Sequence, residues 1–356
     1  FYEATNHRSD TFFCEATRNG RRQVEIKNLG EFGLIRRLTS GRMAEHPTLL
    51  SPIGDDTAVL KPGNGKHLLL TCDMLVENRH FLLAKTSPYE LGRKSLAVSL
   101  SDIAAMGGWP ECYLVSLAIP PHIDVTFCDE LYRGLFDEAS QWNVALAGGD
   151  TVSAPQHLVI DITVMGSVPE GGALYRSQAK PGDLLWVTGW PGLSAAGLRC
   201  LERGLADLCP RATAAHKTPR PRLEEAKELR ESGLVHSMND VSDGVGNEAL
   251  EIAEASRVDI VIHESQLPCH EEVRRAADQV GLDPLELMLF GGEDYELLFT
   301  ARDDGSMGRL ARRIEEKTSV PVHPIGEVQA GTGKVFLKRM GGKIEPLSRG
   351  GFFHFS

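Results

Sequence analysis

Residues 87–108, SPYELGRKSLAVSLSDIAAMGG, are the stretch from which the fold class can be argued. Ser87 is a typical N-cap, Pro88 suits the first helical position, and Gly107 followed by Gly108 ends the pattern. The segment therefore predicts one long helix. The preceding apolar run HLLLTCDMLV, residues 67–76, predicts a buried strand.

The rest of the chain mixes strands and helices without strict alternation. Helices are expected near 29–38, 125–140, from 193, from 222, across 271–290 and at 304–317, and strands at 144–151, 158–168, 184–189, 258–262, 295–301 and the C-terminal end. This order favours an α+β fold over a doubly wound sheet.

The domain organisation is predicted from composition. The segment 169–183 is dense in Gly and Pro and predicts the boundary between an N-terminal domain at 29–168 and a C-terminal α+β domain at 169–356. Residues 1–28 are polar and Arg-rich, and we expect them to be a disordered extension.

Charge and cysteine content exclude several classes of function. The 356 residues carry a formal net charge of −11, which argues against non-specific binding to nucleic acid or an anionic membrane. No apolar run approaches the roughly 20 residues of a membrane span. The seven cysteines are scattered without a Cys-x-x-Cys pair, which favours a reducing cytoplasm over a disulfide framework or a zinc site.

Acidic residues recur beside apolar or Gly-rich segments. They are Asp55 and Asp56 in IGDDTAVL, Asp73, Asp102, Asp150 in AGGDT, Asp240 and Asp243 in NDVSDG, and Glu293 and Asp294 in GGED. Each one alone has a structural explanation, such as a turn or a helix cap. Together, if they converge, they need a cation, and oxygen ligands without His or Cys favour Mg²⁺ and phosphate chemistry.

The usual nucleotide-binding signatures are absent from the sequence. GRKS at 92–95 lacks the preceding glycine of a P-loop, and no protein-kinase motif set is present. The run VTGWPGLSAAGL, residues 187–198, could place helix N-terminal amides against a phosphate, or it is simply a tight strand-to-helix turn. Arg176 and Lys180 are the cations best placed for a nucleotide, the alternative being a solvated linker.

Eight motifs in family order resemble the thiamine-monophosphate kinases, from about Gly30 to Phe355. They are GEFGLI, IGDDTAVL, LTCDMLVENRHF, KSLAVSLSDIAAMGG, AGGDT, RSQAKPGDLLWVTGWPG, NDVSDG and GGEDYELLF. The family belongs to the superfamily of aminoimidazole ribonucleotide synthetase and selenophosphate synthetase. The resemblance implies a two-domain α+β architecture whose N-terminal sheet pairs across a homodimer, with ATP, thiamine phosphate and several Mg²⁺ ions meeting in a cleft of the dimer.

The resemblance also implies roles for individual residues. The implied metal ligands are Asp56, Thr71, Cys72, Asp73, Asp102, Asp150, Asp240 and Asp243, with Asp55 as a possible second ligand or a turn residue. The implied ATP contacts are Gly149, Asp150, Arg176 and Ser242, and the implied thiamine phosphate contacts are His80, Glu293 and Phe352. Cys72 replaces a common Thr and could serve only through its carbonyl, and Phe352 stands where Tyr or Trp is frequent.

The implied reaction is direct in-line transfer of the ATP γ-phosphoryl group to thiamine phosphate, giving thiamine diphosphate. It needs no general base, because the acceptor phosphate is already ionised near neutral pH. One alternative is a sister reaction such as that of aminoimidazole ribonucleotide synthetase, although GGEDYELLF and NRHF favour the kinase. The other is a catalytically silent nucleotide- or metal-binding scaffold. No nucleic-acid or membrane partner is expected.

Overall fold

A computed structural model describes residue 33 and residues 49–51, 55–62, 65–302 and 304–351. The predicted extension at 1–28, the predicted helix at 29–38 apart from residue 33, and Phe352 lie outside the described residues. From residue 49 onward the described residues belong to one compact unit. Among the residues described, no helix is long and apolar enough to cross a membrane.

A six-stranded sheet forms the first part of this unit. Its strands are β1 Leu49–Ser51, β2 Ala58–Leu60, β3 Lys66–Val76, β4 Trp109–Ile119, β5 Ala145–Ser153 and β6 Val159–Pro169. They are ordered β1-β2-β3-β6-β4-β5. The β4–β5 pair is parallel, and the other neighbours are antiparallel.

Two helices accompany this sheet, α1 Pro88–Ala105 and α2 Val125–Trp142. Helix α1 begins with a capping box, in which Ser87 and Glu90 satisfy each other's backbone N–H groups. The helices approach closely at two glycines, because a Cβ on Gly92 or Gly134 would lie 2.0 Å from a carbonyl oxygen of the other helix. The pair can therefore pack as one layer, with α1 lying against β3 and β6.

No described element covers the other face of the sheet. Burial alternates along β3, so that Leu69 and Leu75 are buried while Leu70 and Met74 are exposed. Leu114 of β4 is also exposed, and every residue of the edge strand β5 is exposed. Within the described part of the chain, the sheet therefore has an exposed apolar face, and β5 has no strand on its outer side.

A seven-stranded sheet forms the second part. Its strands are β7 Asp183–Thr188, β8 Val235–Asp240, β9 Val258–His263, β10 Leu297–Arg302, β11 Val322–Ala330, β12 Val335–Lys338 and β13 Ile344–Leu347, in the order β13-β12-β9-β11-β7-β10-β8. Its helices are α3 Leu193–Arg203, α4 Pro210–Lys217, α5 Leu223–Ser232, α6 Val245–Ser256, α7 Glu271–Val280, α8 Pro284–Phe290 and α9 Ser306–Thr318. Only β12 and β9 pair in parallel.

The α+β class predicted from the sequence is confirmed, as is the helix that begins after Ser87. Several elements were not predicted, among them β1, β2, β4, β8 and α4. Strand β4 lies between β6 and β5 in the first sheet, and helix α4 packs against α3. Residues 169–183, predicted as a domain boundary, connect the two sheets and contain a short 3-10 turn at Arg176–Gln178.

Candidate active site

Three carboxylates from distant parts of the sequence meet between the two sheets. Asp56 lies in the turn before β2, Asp102 lies in the last turn of α1, and Asp240 is the last residue of β8. One oxygen of each lies within 4.8 Å of an oxygen of the other two. Three negative charges at this separation repel one another strongly unless protons or cations compensate them.

Protein groups compensate these carboxylates only in part. Asp56 forms an ion pair with Arg176, Asp102 accepts a hydrogen bond from the Thr71 hydroxyl, and Asp240 accepts one from Ser101 at 2.6 Å. Among the residues that the structure describes, the buried Oδ2 of Asp56 has no hydrogen-bond partner, and the same holds for Oδ2 of Asp73. These two oxygens are free to take a further ligand.

The pKa values of this cluster are raised. Burial raises the pKa of Asp240 to about 8, with the charge of Asp56 adding to it. Burial, together with Asp73, Asp240 and Asp56, raises the pKa of Asp102 well above its usual range. Burial first, and then Asp161 and Asp56, raise the pKa of Asp73 to about 6. Since a divalent cation would stabilise the ionised forms, this all-oxygen donor set fits a hard ion such as Mg²⁺.

The two residues before Asp73 face opposite sides of the sheet. Thr71 is buried on the side of Asp102, whereas Cys72 is exposed on the open face. Burial and the charges of Asp161 and Asp73 raise the pKa of the Cys72 thiol. The thiol therefore cannot join the three carboxylates, and only the backbone of Cys72 remains as a donor.

Asp150 does not reach this cluster within the same chain. It lies on the exposed edge strand β5, opposite Ser116 of β4, and its Oδ1 accepts a hydrogen bond from the Thr151 N–H at 2.8 Å. Strand β5 is three strands from β3, about 14 Å at the usual strand spacing. The neighbouring Gly149 is required by packing, because its Cβ would lie 1.9 Å from the Val115 carbonyl oxygen.

Arg176 is held inside the acidic site rather than on a solvated linker. Besides Asp56, its guanidinium contacts Glu251 Oε2 at 2.8 Å and donates to Asn239 Oδ1 at 3.1 Å. Its backbone N–H donates to Asp55 at 3.2 Å. Burial and the charge of Asp56 raise the pKa of Asp55 to about 7. Asp55 therefore has a defined partner, as a turn residue would.

The loop after β8 is organised by a glutamate that the sequence analysis did not single out. Glu248 of α6 accepts hydrogen bonds from the Ser242 hydroxyl at 3.2 Å, the Asp243 N–H at 2.9 Å and the Asn239 amide at 2.5 Å. The Asp243 side chain is exposed. Glu248 was missed because a glutamate in the first turn of a helix is common in any sequence.

The helix N-terminus at residues 192–194 binds a protein carboxylate. Asp294 accepts hydrogen bonds from the N–H groups of Gly192 at 2.6 Å and Ser194 at 3.0 Å. The interpretation of VTGWPGLSAAGL as a strand-to-helix turn is therefore favoured over its interpretation as a phosphate site.

The predicted substrate residues His80 and Glu293 lie near each other. The Nδ1 of His80 accepts a hydrogen bond from the Val76 N–H at 2.9 Å, and His80 lies close enough to Glu293 to influence the pKa of that carboxyl. Glu293 has a φ of +67° and contacts Lys94 Nζ at 2.8 Å and His216 Nδ1 at 3.3 Å. The predicted contact Phe352 lies outside the described residues.

Family models match both parts of the chain. The model of the N-terminal domain of AIR synthase related proteins matches residues 54–168, and that of the C-terminal domain matches residues 180–338. The thiamine-monophosphate kinase of Bacillus subtilis (strain 168) is 37% identical over 337 residues, 92% of this chain and 100% of that protein. The chain belongs to the thiamine-monophosphate kinase family.

Further relatives agree with this membership. The thiamine-monophosphate kinase of Escherichia coli (strain K12) is 35% identical over 338 residues, covering 92% of this chain and 98% of that protein. A solved structure described as AaThiL complexed with AMPPCP and TMP matches with a TM-score of 0.80 and 30% identity, covering 93% of this chain and 99% of that one.

In this member of the thiamine-monophosphate kinase family, Lys94 and Glu293 form an ion pair that the sequence analysis did not predict. Lys94 was considered only as part of a failed P-loop match, and a lysine on a helix is ordinarily solvated. Here Lys94 is buried. The run of small and apolar residues that follows this lysine in its helix, SLAVSLS, was the available signal.

Proposed function

We propose that this chain transfers the γ-phosphoryl group of ATP to thiamine phosphate, giving thiamine diphosphate and ADP. The observation that carries the proposal is the convergence of Asp56, Asp102 and Asp240, beside the buried Oδ2 atoms of Asp56 and Asp73, which have no hydrogen-bond partner among the described residues. The extent of similarity to thiamine-monophosphate kinases, and the match to a structure that holds AMPPCP, an ATP analogue, support it.

Asp56, Asp102 and Asp240 would hold Mg²⁺, with Thr71, Asp73 and Asp243 nearby in the proposed ligand set. When bound, Mg²⁺ neutralises charge on the phosphates and favours a transition state with dispersed negative charge. The chain contributes positioning rather than a base, because the acceptor phosphate is already ionised near neutral pH. We therefore propose direct in-line transfer, without a phosphoenzyme.

Around the carboxylates we propose separate positions for the two substrates. Arg176 and Ser242 would contact ATP, together with Gly149 of β5 from the second chain in the dimer proposed below, and an ATP phosphate that reaches Arg176 would compete with Asp56 for the guanidinium. His80 and Glu293 would contact thiamine phosphate, with Phe352 completing this side. The positive charge of Arg176 thus lies where two polyanions must approach each other.

We propose that two chains form a homodimer through the open face of the first sheet. Leu70, Met74 and Leu114 are 43%, 56% and 42% exposed on one face, and β5, which has no outer neighbour among the described strands, exposes Leu146 and Val152. Contiguous exposed apolar side chains on a sheet favour association. Pairing of this face in a second copy would cover all of them.

In such a dimer Asp150 would serve the site of the partner chain. Its register partner Ser116 lies on the open face, whereas Thr71 and Asp102 lie on the helix-covered side. Within one chain, the sheet itself therefore separates Asp150 from the three carboxylates. This arrangement would make each site a composite of two chains.

The predicted division into domains at 169–183 is supported by the two sheets, which span 49–169 and 183–347. We propose that the first contributes most metal ligands and the second contributes the NDVSDG and GGED loops. A cytoplasmic location, with its supply of ATP and Mg²⁺, fits both the proposed reaction and the free thiols of the described cysteines.

Turnover tests the proposal directly. The protein is incubated with ATP, Mg²⁺ and thiamine phosphate, and thiamine diphosphate is followed by chromatography, with EDTA and with free thiamine as acceptor in parallel. Product that requires the metal and forms from thiamine phosphate but not from free thiamine is expected. If the folded protein binds ATP but forms no product, the alternatives are favoured: a related reaction of the superfamily, or a nucleotide-binding scaffold without catalytic activity.

A further inference from the structure

Lys94 and Glu293 form an ion pair that joins helix α1 to the GGED loop. The Lys94 Nζ lies 2.8 Å from Glu293 Oε1, and the two side chains are 2% and 26% exposed, respectively. Because the ammonium group is fully enclosed, a substrate cannot touch it. The Glu293 carboxylate remains accessible, so that any effect of Lys94 on a substrate must pass through Glu293.

His216 of α4 contacts the other oxygen of the same carboxylate. Its Nδ1 lies 3.3 Å from Glu293 Oε2 and 3.2 Å from the Ser194 hydroxyl. Burial, followed by the charge of Lys94, lowers the pKa of His216 to about 4, so His216 is neutral near pH 7. Lys94 is therefore the charged partner of Glu293, and His216 is a neutral one.

Apart from Lys94 and His216, the surroundings of Glu293 disfavour its ionised form. Burial alone would raise its pKa, but the ammonium group of Lys94 holds the pKa of Glu293 below its ordinary value. Asp294 and Tyr295 lie near it, since burial first and then the charge of Glu293, among others, raise the pKa of both groups. The backbone is fixed as well, since the Glu293 N–H donates to the Ser242 carbonyl at 2.6 Å.

An ionised carboxylate only accepts hydrogen bonds, whereas a protonated one also donates. The thiamine end of the proposed substrate carries a cationic thiazolium ring and an amino group that donates hydrogen bonds. A Glu293 carboxylate kept charged and held from two sides suits that end of the substrate. The same carboxylate has no favourable interaction with the phosphates of ATP, which are negatively charged.

We propose that Lys94 is a positioning residue that acts only through Glu293, holding its carboxylate charged and oriented toward the thiamine end of thiamine phosphate. This inference rests on the proposed function. It predicts that Lys94 controls the affinity for thiamine phosphate and leaves the affinity for ATP unchanged.

A double-mutant cycle tests this, using the wild-type protein, Lys94→Met, Glu293→Gln and the double variant. Lys94→Met should raise KM for thiamine phosphate about tenfold while leaving KM for ATP almost unchanged, and adding it to Glu293→Gln should cause no further loss. Multiplicative losses in the double variant would overturn the inference, because Lys94 would then act independently of Glu293.

The pH profile separates positioning from a general structural role. Without Lys94 the pKa of Glu293 rises, so kcat/KM of Lys94→Met for thiamine phosphate should fall as the pH drops below neutral and recover as the pH rises. Lys94→Arg, which keeps the charge, should restore most of the wild-type profile. An unchanged profile in Lys94→Met would contradict the inference.

Two controls keep these outcomes interpretable. Lys227→Met changes an exposed helical lysine and should leave all constants unchanged. If Lys94→Met fails to fold because Glu293 is left buried without its partner, the double variant lacks both charges and is still compared with Glu293→Gln. Calorimetric binding of thiamine phosphate to the same proteins gives a second readout.

The two proposals fail in different ways. A wild-type protein that neither binds nor phosphorylates thiamine phosphate would remove the proposed function together with this inference. A wild-type protein that turns over normally, with independent effects of the two substitutions, would remove only the inference about Lys94.

Discussion

Ser101 of helix α1 donates a 2.6 Å hydrogen bond to Oδ2 of Asp240, the last residue of strand β8. The bond joins the helix of the first sheet to the edge of the second sheet, and both partners are buried. Because Asp102 follows Ser101, the same contact brings two carboxylates together. The geometry of the site thus depends on both parts of the chain.

Asp102→Asn should abolish turnover without loss of the fold. Asp102 is crowded by Asp73, Asp240 and Asp56, and burial already disfavours its charge, so a neutral amide removes repulsion. We expect the activity to fall at least about a thousandfold, while the melting temperature in EDTA stays the same or rises. Steady-state kinetics and thermal melts measure both quantities.

The control for this substitution is Asp129→Asn, which changes an exposed aspartate of α2. It should affect neither quantity. Near-normal turnover of Asp102→Asn would show that this carboxylate does not serve the reaction.

Stability without divalent cations should fall as the pH rises. Burial and neighbouring charge raise the pKa of Asp240 to about 8 and that of Asp55 to about 7, against an unfolded value of 3.8. Between about pH 4 and about pH 8 the folded chain therefore binds more protons than the unfolded chain, and the free energy of unfolding decreases with pH. Mg²⁺ should stabilise most at the upper end of this range, where it displaces the fewest protons.

Thermal melts from about pH 5 to about pH 8, with EDTA or with Mg²⁺, measure this dependence. Asp240→Asn supplies the comparison, since it should flatten the slope in EDTA and reduce the gain from Mg²⁺. A wild-type slope in EDTA no steeper than that of Asp240→Asn would contradict the expected role of this carboxylate.

Local features could be predicted from the sequence where short-range chemistry determines them. Ser87 and Pro88 mark the helix start, and the apolar run at 67–76 marks β3. Strand β4 was missed because WPECYLVSLAI has a proline at its second position and lacks clean alternation, and its position between β6 and β5 depends on long-range pairing.

The candidate site shows the same limit. The resemblance singled out Asp56, Asp102 and Asp240, and the structure brings them together. Lys94 and Glu248 were missed because their importance comes from burial against residues far away in the sequence, which no local pattern reveals.

Mixing two inactive variants should restore activity if Asp150 serves the partner chain. In a heterodimer of Asp102→Asn and Asp150→Asn chains, one of the two composite sites receives both intact residues. Random exchange makes about half of the dimers mixed, so about a quarter of wild-type activity should return. Refolding or co-expressing the two variants together, and assaying against each alone, tests this.

If Asp150 acts within its own chain, the same mixture stays inactive, because every site then carries one substitution.

Leu114→Glu places a charge on the open sheet face and should shift the protein toward a monomer, as measured by analytical ultracentrifugation. A wild-type protein that is monomeric would contradict the dimer and the composite site together.

Gly149→Ala should destabilise the protein and also raise its KM for ATP. A Cβ at this position would lie 1.9 Å from the Val115 carbonyl oxygen and 2.8 Å from its carbon, so β5 must move away from β4. Forcing such a shift costs about 1–3 kcal/mol, which denaturant unfolding can measure. Gly308→Ala is the matched control, because a Cβ there meets nothing within 4 Å and lies inside helix α9, where alanine should add about 0.5–1 kcal/mol. If Gly149→Ala keeps its stability but has a raised KM for ATP, the glycine is needed for the nucleotide alone. If both stability and affinity for ATP fall, packing against Val115 holds the nucleotide-binding edge in place.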